Sequence, residues 1–189
     1  MSIFDVIFGR TRPVRSKLER LFAIATANLT LTADLRLAPG GCAAIGFRPL
    51  DSAQFAALQG ELAELLRISG RETGTTIRAE EDRYGFRWVI LEDPAFEDLV
   101  TTIHLISLTL QEQGFGEQLL AAVFKFLERG QPVYWIYNYK RGFFYPFVPR
   151  GQSRERDNAA ELRLQAAMQK ELPVEPELER WYPLWGVPV

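Results

Sequence analysis

Residues that could carry out chemistry are sparse in this sequence. His104 is the only histidine and Cys42 the only cysteine, and both lie in apolar stretches. A catalytic triad needs a nucleophile and an acid beside the histidine, and a typical zinc site needs three or four protein ligands. The sequence supplies neither pattern around His104 or Cys42. We therefore predict a protein that is not an enzyme, with His104 buried or at the edge of the core.

Two further motifs could bind ligands, but each has a simpler explanation. The acidic residues Glu80, Glu81 and Asp82 could bind a cation, yet they fall at the end of a predicted hairpin, where carboxylates are usually solvated. Gly114 and Gly116 precede a predicted strand, whereas a phosphate-binding loop needs a helix N-terminus. We therefore expect neither a metal nor a cofactor.

Aromatic residues concentrate in residues 132–147, which hold eight of the 23 in the chain. Aromatic and β-branched residues favour strands, so this stretch predicts a β-hairpin. The turn is predicted at Lys140-Arg141-Gly142, where glycine can adopt the positive φ that such turns require. Neither alternating set of side chains on the first strand is plainly polar. We therefore expect both faces of the hairpin to be covered.

The cations of this turn could serve either a nucleic acid or a protein partner. Aromatic side chains beside cations can form a platform for single-stranded nucleic acid. The net charge of −2 gives no general attraction to a polyanion, so we predict no nucleic-acid partner. Tyrosine, tryptophan and arginine commonly anchor protein interfaces. The predicted partner-binding residues are Tyr139, Lys140, Arg141, Trp181 and Trp185.

The first twenty residues combine apolar side chains with a basic cluster. Five basic residues lie within positions 10–20, and only Asp5 and Glu19 oppose them in this segment. Such a segment can lie on an anionic membrane surface, and the alternative is an arm that docks on its own domain. The predicted membrane-contacting residues are Ile3, Phe4, Ile7, Phe8, Arg10 and Arg12.

The sequence also bears on cellular location. It contains no run near the roughly 18 apolar residues that a transmembrane helix needs, and its N-terminus lacks the pattern of a signal peptide. The single cysteine fits a reducing compartment. We therefore expect a cytoplasmic protein, with peripheral contact at the inner face of the membrane as the alternative.

Hydrophobic periodicity predicts the order helix, strand, helix, hairpin, helix, three-strand meander, helix. Because hairpins dominate, we predict an α+β fold, with a mainly antiparallel sheet of about five to six strands and helices packed on it. The residues at 39–41, Pro-Gly-Gly, are predicted to end an irregular stretch before a short strand at 42–47. The predicted helices are residues 15–26, 52–68, 93–113 and 154–171.

We expect one domain with extended ends, because 189 residues suit a single core. The C-terminal segment is rich in aromatic residues and proline, which argues against a disordered tail. The expected division is an N-terminal amphipathic and basic arm with a helix at 1–27, an α+β domain at 28–172, and a tail at 173–189 packed on the domain.

Several motifs are shared with a known family. They comprise Ile3 to Arg10, Tyr84-Gly85, Gly114-Phe115-Gly116, Tyr139 to Phe147, Arg156-Asp157-Asn158-Ala159 and Arg180 to Gly186. In these motifs the chain resembles, nearly end to end, the PspAB family of phage-shock-protein-A-associated proteins of bacteria and archaea. The resemblance implies a small cytoplasmic protein of the envelope-stress system, with no established reaction and no catalytic residues to carry over. It also implies a link to phage shock protein A, a membrane-remodelling coiled-coil protein. The element order is also similar to type III secretion chaperones and YbjN-type proteins.

Three functions remain open at this point. The leading hypothesis is an adaptor or chaperone-like protein that binds a phage-shock component. The alternatives are a peripheral membrane-surface sensor and a small-ligand binder or enzyme with an aromatic pocket. A homodimer is a further hypothesis, because an uncovered aromatic face would tend to self-associate.

Overall fold

The computed structural model describes residues 12–151 and 154–189, with side chains from Lys17 onward. It confirms the predicted α+β class. The strands of its sheet are β1 (Leu37–Phe47), β2 (Thr76–Glu81), β3 (Arg87–Glu92), β4 (Leu119–Glu128), β5 (Gln131–Asn138) and β6 (Phe143–Phe147). The helices are α1 (Arg12–Leu21), α2 (Ala23–Ala33), α3 (Ala53–Thr73), α4 (Phe96–Glu112) and α5 (Asn158–Met168).

The six strands form one antiparallel sheet in the order β2-β3-β1-β4-β5-β6. The β2–β3 and β5–β6 turns therefore lie at the same end of the sheet, together with the start of β4. The hairpin at 132–147 supplies β5 and β6, as the aromatic pattern predicted. Among the described residues, no helix is both long and apolar enough to cross a bilayer.

Several predicted boundaries are wrong. The helix expected at 15–26 is two helices, because Phe22 interrupts it with a turn in which its N–H bonds to Glu19 O. The helix expected at 154–171 spans only 158–168, because Asp157 begins it by accepting a hydrogen bond from the N–H of Ala160 at 3.0 Å. The helix expected to end at residue 68 continues to Thr73. A further error concerns the start of β1.

The Pro-Gly-Gly segment lies inside β1 rather than before it. The register of β1 on β4 shifts between Pro39 and Ala43, and Gly41 adopts a φ of 65°. A bulge of this kind tolerates proline and uses the positive φ that glycine permits. Strand β3 pairs with β1 only from Cys42 onward, so Pro39 lies where β1 has a single partner strand.

One face of the sheet carries the helices and most of the core. Trp135, Tyr137 and Phe144 are fully buried on this face, together with the apolar sides of the helices. Residues on α1, α2, α3, α4 and α5 all contribute to this layer. The N-cap of α3 is Ser52, whose hydroxyl accepts a hydrogen bond from the N–H of Phe55, in line with the sequence pattern.

The C-terminal tail covers the opposite face. Val174 bridges Phe144 on β6, and at the far end of the tail Arg78 on β2 donates to the carbonyl of Pro188 at 3.2 Å. Because β6 and β2 are the two edges of the sheet, the tail crosses its full width. This layer buries Trp181 and packs Leu184, Trp185, Val187 and Val189 against Ile90, Val123, Ile136, Tyr145 and Phe147. The domain boundaries at 27 and 172 stay predictions.

Candidate partner-binding cleft

An open cleft of about 2000 Å³ lies at the end of the sheet where the two hairpin turns meet the start of β4. The tail forms one of its walls with residues 182–188. Its apolar lining includes Phe86, Trp88, Leu120, Ala121, Tyr145, Leu184 and Trp185. A partner that binds in the cleft could bury its own apolar side chains against these residues. Charged residues lie around this apolar centre.

The β5–β6 turn supplies a basic wall. Gly142 adopts a φ of 75°, and its N–H bonds to Asn138 O at 2.7 Å, which closes the turn as predicted. Lys17 on α1 donates through Nζ to the carbonyl of Lys140 at 2.9 Å, so α1 fixes the turn from the helical side. The side chain of Lys140 itself is exposed to solvent at the cleft.

Arg141 joins this turn to the tail. Its guanidinium pairs with both carboxylate oxygens of Glu175, at 2.9 and 3.0 Å, and also contacts Glu177 at 2.9 Å. The hydrogen bond from Arg141 lowers the pKa of the buried Glu175 carboxyl, and the same bond raises the pKa of Arg141. Arg141 therefore positions the tail and leaves only about a third of its side chain exposed to a partner.

Tyr139 forms the inner end of the cleft rather than its rim. Its side chain is buried, and its hydroxyl shares a hydrogen bond with Ser107 on α4. Burial raises the pKa of Tyr139, so it stays a neutral phenol at physiological pH. The residue holds the end of β5 against the helices and offers a partner little of its side chain.

The two tryptophans predicted to bind a partner differ in exposure. Trp181 is buried, stacks on Tyr145 with ring centroids 6.4 Å apart, and donates through Nε1 to Glu175 O at 3.0 Å. Trp185 is partly exposed, packs edge-on against Phe147 at 4.9 Å and lines the cleft. Trp185 is therefore the one available to a partner.

The β2–β3 turn supplies an acidic wall opposite the basic one. Asp82 accepts hydrogen bonds from the N–H groups of Tyr84 and Phe86, at 2.8 and 3.0 Å, and from Trp88 Nε1 at 3.0 Å. Partial burial raises the pKa of Asp82, but these hydrogen bonds outweigh it and lower the pKa overall. The carboxylate of Asp82 therefore stabilises the turn. Among the described residues, no group of three or more His, Cys, Asp or Glu side chains is placed to hold a metal ion.

The two charged walls are well separated. Strand β5 lies four positions from β2 in the sheet, which corresponds to about 19 Å at the usual strand spacing. Exposed carboxylates at Glu80 and Glu81 mark one wall, where Glu80 pairs with Arg78 and Glu81 lies 3.7 Å from Arg87. Lys140 marks the other wall. The cleft therefore offers an apolar centre between strips of opposite charge.

The chemically reactive residues lie apart from one another. His104 on α4 packs against Phe22 with ring centroids 4.3 Å apart, and burial lowers its pKa while the nearby Glu19 opposes this. Cys42 is buried on the tail-covered face of the sheet, whereas α4 lies on the helical face. The structure therefore does not bring this histidine and this thiol together.

Four of the five predicted partner residues, Tyr139, Lys140, Arg141 and Trp185, line the same cleft. Their role in binding stays a prediction. The membrane prediction for Ile3, Phe4, Ile7, Phe8 and Arg10 lies outside the described residues, as does the side chain of Arg12.

Sequence reasoning missed the acidic wall and the start of β4 as parts of the site. The signal available was the similarity of the two turns, Arg83-Tyr84-Gly85 and Lys140-Arg141-Gly142. The two turns can line one site only if both lie at the same end of the sheet. Their position depends on the order and direction of the strands in the sheet, which the turn motifs alone do not specify.

Comparison with known proteins gives one family. The family model described as PspA associated protein B matches residues 1–189, the whole chain. No curated protein and no solved structure matches the chain, so the similarity to secretion chaperones and YbjN-type proteins is not confirmed.

Proposed function

Because the chain belongs to the PspAB family, PspA associated protein B, we propose that it is a non-enzymatic adaptor that binds phage shock protein A through the cleft. The family description supports an association with that protein. The observation that carries the proposal is the cleft itself, an apolar surface between an acidic and a basic wall at one end of the sheet.

The cleft suits a helical partner of the coiled-coil type implied by the family resemblance. Two packed helices have axes about 8–10 Å apart and are each about 10–12 Å across, so a helical pair is comparable in width to the cleft. The apolar seam of such a pair would face Trp185 and Leu120. Its flanking basic and acidic side chains would face Glu81 and Lys140 respectively, which would fix its orientation.

Truncating Trp185 tests the apolar part of this proposal. Trp185→Ala is expected to weaken binding of phage shock protein A about 30-fold, because partly exposed aromatic residues in a cleft commonly act as interface hot spots. Lys140→Glu is expected to weaken binding several-fold, and more at low salt, because it reverses a charge at the rim. Isothermal titration calorimetry with the purified proteins measures both effects.

Lys170→Glu is the matched control for charge, because it makes the same change at an exposed residue outside the cleft lining. Thermal unfolding of each variant verifies that the tail stays packed. Unchanged affinity in both folded cleft variants would contradict the proposal. Reversal of Arg141 is unsuitable here, because it would break the pair with Glu175 and disturb the fold.

The membrane-surface alternative depends on residues 3–12. Within the described residues, Leu18 and Leu21 on α1 are buried against the domain, so that part of the helix has no free apolar face. If the alternative holds, the full chain floats with anionic vesicles, and a chain lacking residues 1–12 does not. A liposome flotation assay in which the full chain fails to bind anionic vesicles would end this alternative.

The aromatic face that suggested a homodimer is the face that the tail covers. A dimer through that face would require displacement of residues 181–189. The homodimer therefore stays a prediction, but the apolar surface that motivated it is covered by the tail. Sedimentation of the free protein over a range of concentrations tests it.

A further inference from the structure

The helix α1 leads to the cleft described above. Phe22, which directly follows α1, packs on His104 of α4. Lys17, further toward the start of α1, lines the cleft together with Gln111 near the end of α4. From Phe22 back to its first residue, α1 therefore runs toward the cleft. Arg12 begins the helix about 7.5 Å beyond Lys17 along the helix axis, so the residues that precede α1 join it beside the cleft.

The N-terminal segment, residues 1–11, has the apolar character of a cleft ligand. It places four large apolar residues at the spacing of one helical face: Ile3, Phe4, Ile7 and Phe8. Burial against another apolar surface stabilises side chains of this size. The cleft offers such a surface, where the side chain of Leu120 at the start of β4 is partly exposed.

The segment is long enough to enter the cleft. Ile3 is nine residues before Arg12, which corresponds to about 14 Å in a helix and about 30 Å in an extended chain. The helix α1 lies at the basic wall, where Lys17 donates to the carbonyl of Lys140. The opposite wall is about 19 Å away at the usual strand spacing. The apolar centre of the cleft is therefore within reach of residues 3–8.

The cleft also provides a carboxylate for the arginine of this segment. Glu117 is exposed just before β4, lines the cleft, and forms no ion pair among the residues that the structure describes. Strand β4 is the neighbour of β5, where the hydroxyl of Tyr137 donates to the carbonyl of Lys17 on α1. Arg10 is two residues before the start of α1. It is therefore the cation of the segment best placed to pair with Glu117.

We propose that the N-terminal segment occupies the cleft of its own chain and competes there with phage shock protein A. This inference rests on the proposed function of the cleft and adds its regulation. In the closed form the apolar face of the segment lies on Leu120, and Arg10 pairs with Glu117. A short tether gives an effective concentration in the millimolar range, so an intrinsic Kd of about 0.1 mM keeps the cleft closed in about nine molecules of ten.

Hydrogen–deuterium exchange of the free full chain tests whether the segment docks. Residues 3–8 are expected to exchange about tenfold faster in Glu117→Lys and in Leu120→Ser than in the natural chain, because each change weakens docking. Neither change alters the sequence of residues 3–8. Glu171→Lys is the matched control, because it makes the same charge change at an exposed residue outside the cleft lining, and it should leave this exchange unchanged. Thermal unfolding verifies that each variant is folded.

A charge exchange separates docking from a general loss of structure. Arg10→Glu alone should speed exchange at residues 3–8 as Glu117→Lys does. The double variant that carries both changes should restore slow exchange, because the pair is re-formed with its charges reversed. Equal exchange at residues 3–8 in the natural chain and in both cleft variants would overturn the proposal. A double variant that exchanges as fast as its two parents would also overturn it.

Calorimetry with purified phage shock protein A tests the competition. The full chain with Phe4→Asp and Phe8→Asp is expected to bind about tenfold more tightly than the natural chain, because its cleft is open in every molecule rather than in about one of ten. Unchanged or weaker binding by this variant would overturn the inference and leave the proposed function intact. If neither chain binds this partner, the proposed function fails, and exchange at residues 3–8 still decides whether the segment docks.

Discussion

Replacing Arg156 with leucine is expected to lower the free energy of unfolding by about 3–5 kcal/mol, the usual effect of removing one partner of a buried ion pair. Arg156 Nε lies 3.0 and 2.9 Å from the two carboxylate oxygens of Glu161, whose side chain is only 2% exposed. The same guanidinium donates to the carbonyl of Trp181 at 2.7 Å and lies over the ring of Phe147. The substitution leaves a buried carboxylate that, among the described residues, keeps a hydrogen bond only from the N–H of Val148.

The effect of Arg156→Leu should depend on pH. Burial raises the pKa of Glu161 above its ordinary value of 4.5, and the hydrogen bonds from Arg156 oppose this. Without Arg156 the folded-state pKa rises further, so the folded form binds a proton more readily than the unfolded form. Stability of the variant then falls as pH rises from 4.5 through the folded-state pKa. The deficit relative to the natural chain should be smaller at pH 5 than at pH 8.

Urea unfolding at the two pH values measures this deficit. The double variant with leucine at both 156 and 161 serves as the control, and it should be more stable than Arg156→Leu alone, because no buried charge is left unpaired. A deficit that does not change with pH, together with a double variant no more stable than the single one, would contradict this account of the pair.

Replacing Trp181 with alanine is expected to cost about 3–5 kcal/mol of unfolding free energy, as for other large buried aromatic residues. Trp181 is 4% exposed, packs on Tyr145, and its indole N–H donates to Glu175 O. It lies at the point where the tail passes from the β6 edge onto the face of the sheet opposite the helices. Its loss should therefore loosen the tail and uncover the aromatic face.

Tyr182→Ala is the matched control, because it truncates the adjacent aromatic residue, which is 56% exposed. Its free energy of unfolding should change by no more than about 0.5 kcal/mol, which is usual for surface substitutions. Near-ultraviolet circular dichroism and chemical unfolding measure both variants. Equal and small effects at the two positions would show that the tail does not contribute to stability through Trp181.

The fold class could be predicted from the sequence because its signals are local. Alternation over 132–147, the Gly142 turn and the Ser52 cap each depend on residues close together in the chain, and each is present in the structure. The start of β1 was missed because proline and glycine usually end a strand. Here a bulge accommodates them where β1 has only one partner strand.

The composition of the cleft could be predicted only in part. Lys140 and Trp185 stand out by residue type, but their meeting in one cleft depends on the route of the tail across the sheet. The Arg156–Glu161 pair was likewise hidden, because Arg156 precedes the helix and the pair does not follow the i,i+4 helical spacing. Such contacts follow from tertiary packing, which short sequence patterns do not specify.

Three of the segments that line the cleft lie far apart in the chain, and this makes the proposed function directly measurable. Hydrogen–deuterium exchange of the full chain, with and without purified phage shock protein A, reports where the partner binds. We predict slower exchange at residues 82–86, 139–142 and 182–187, with little change along α5 (158–168). A complex that forms while exchange at these three segments stays unchanged would contradict the claim that the cleft is the binding surface.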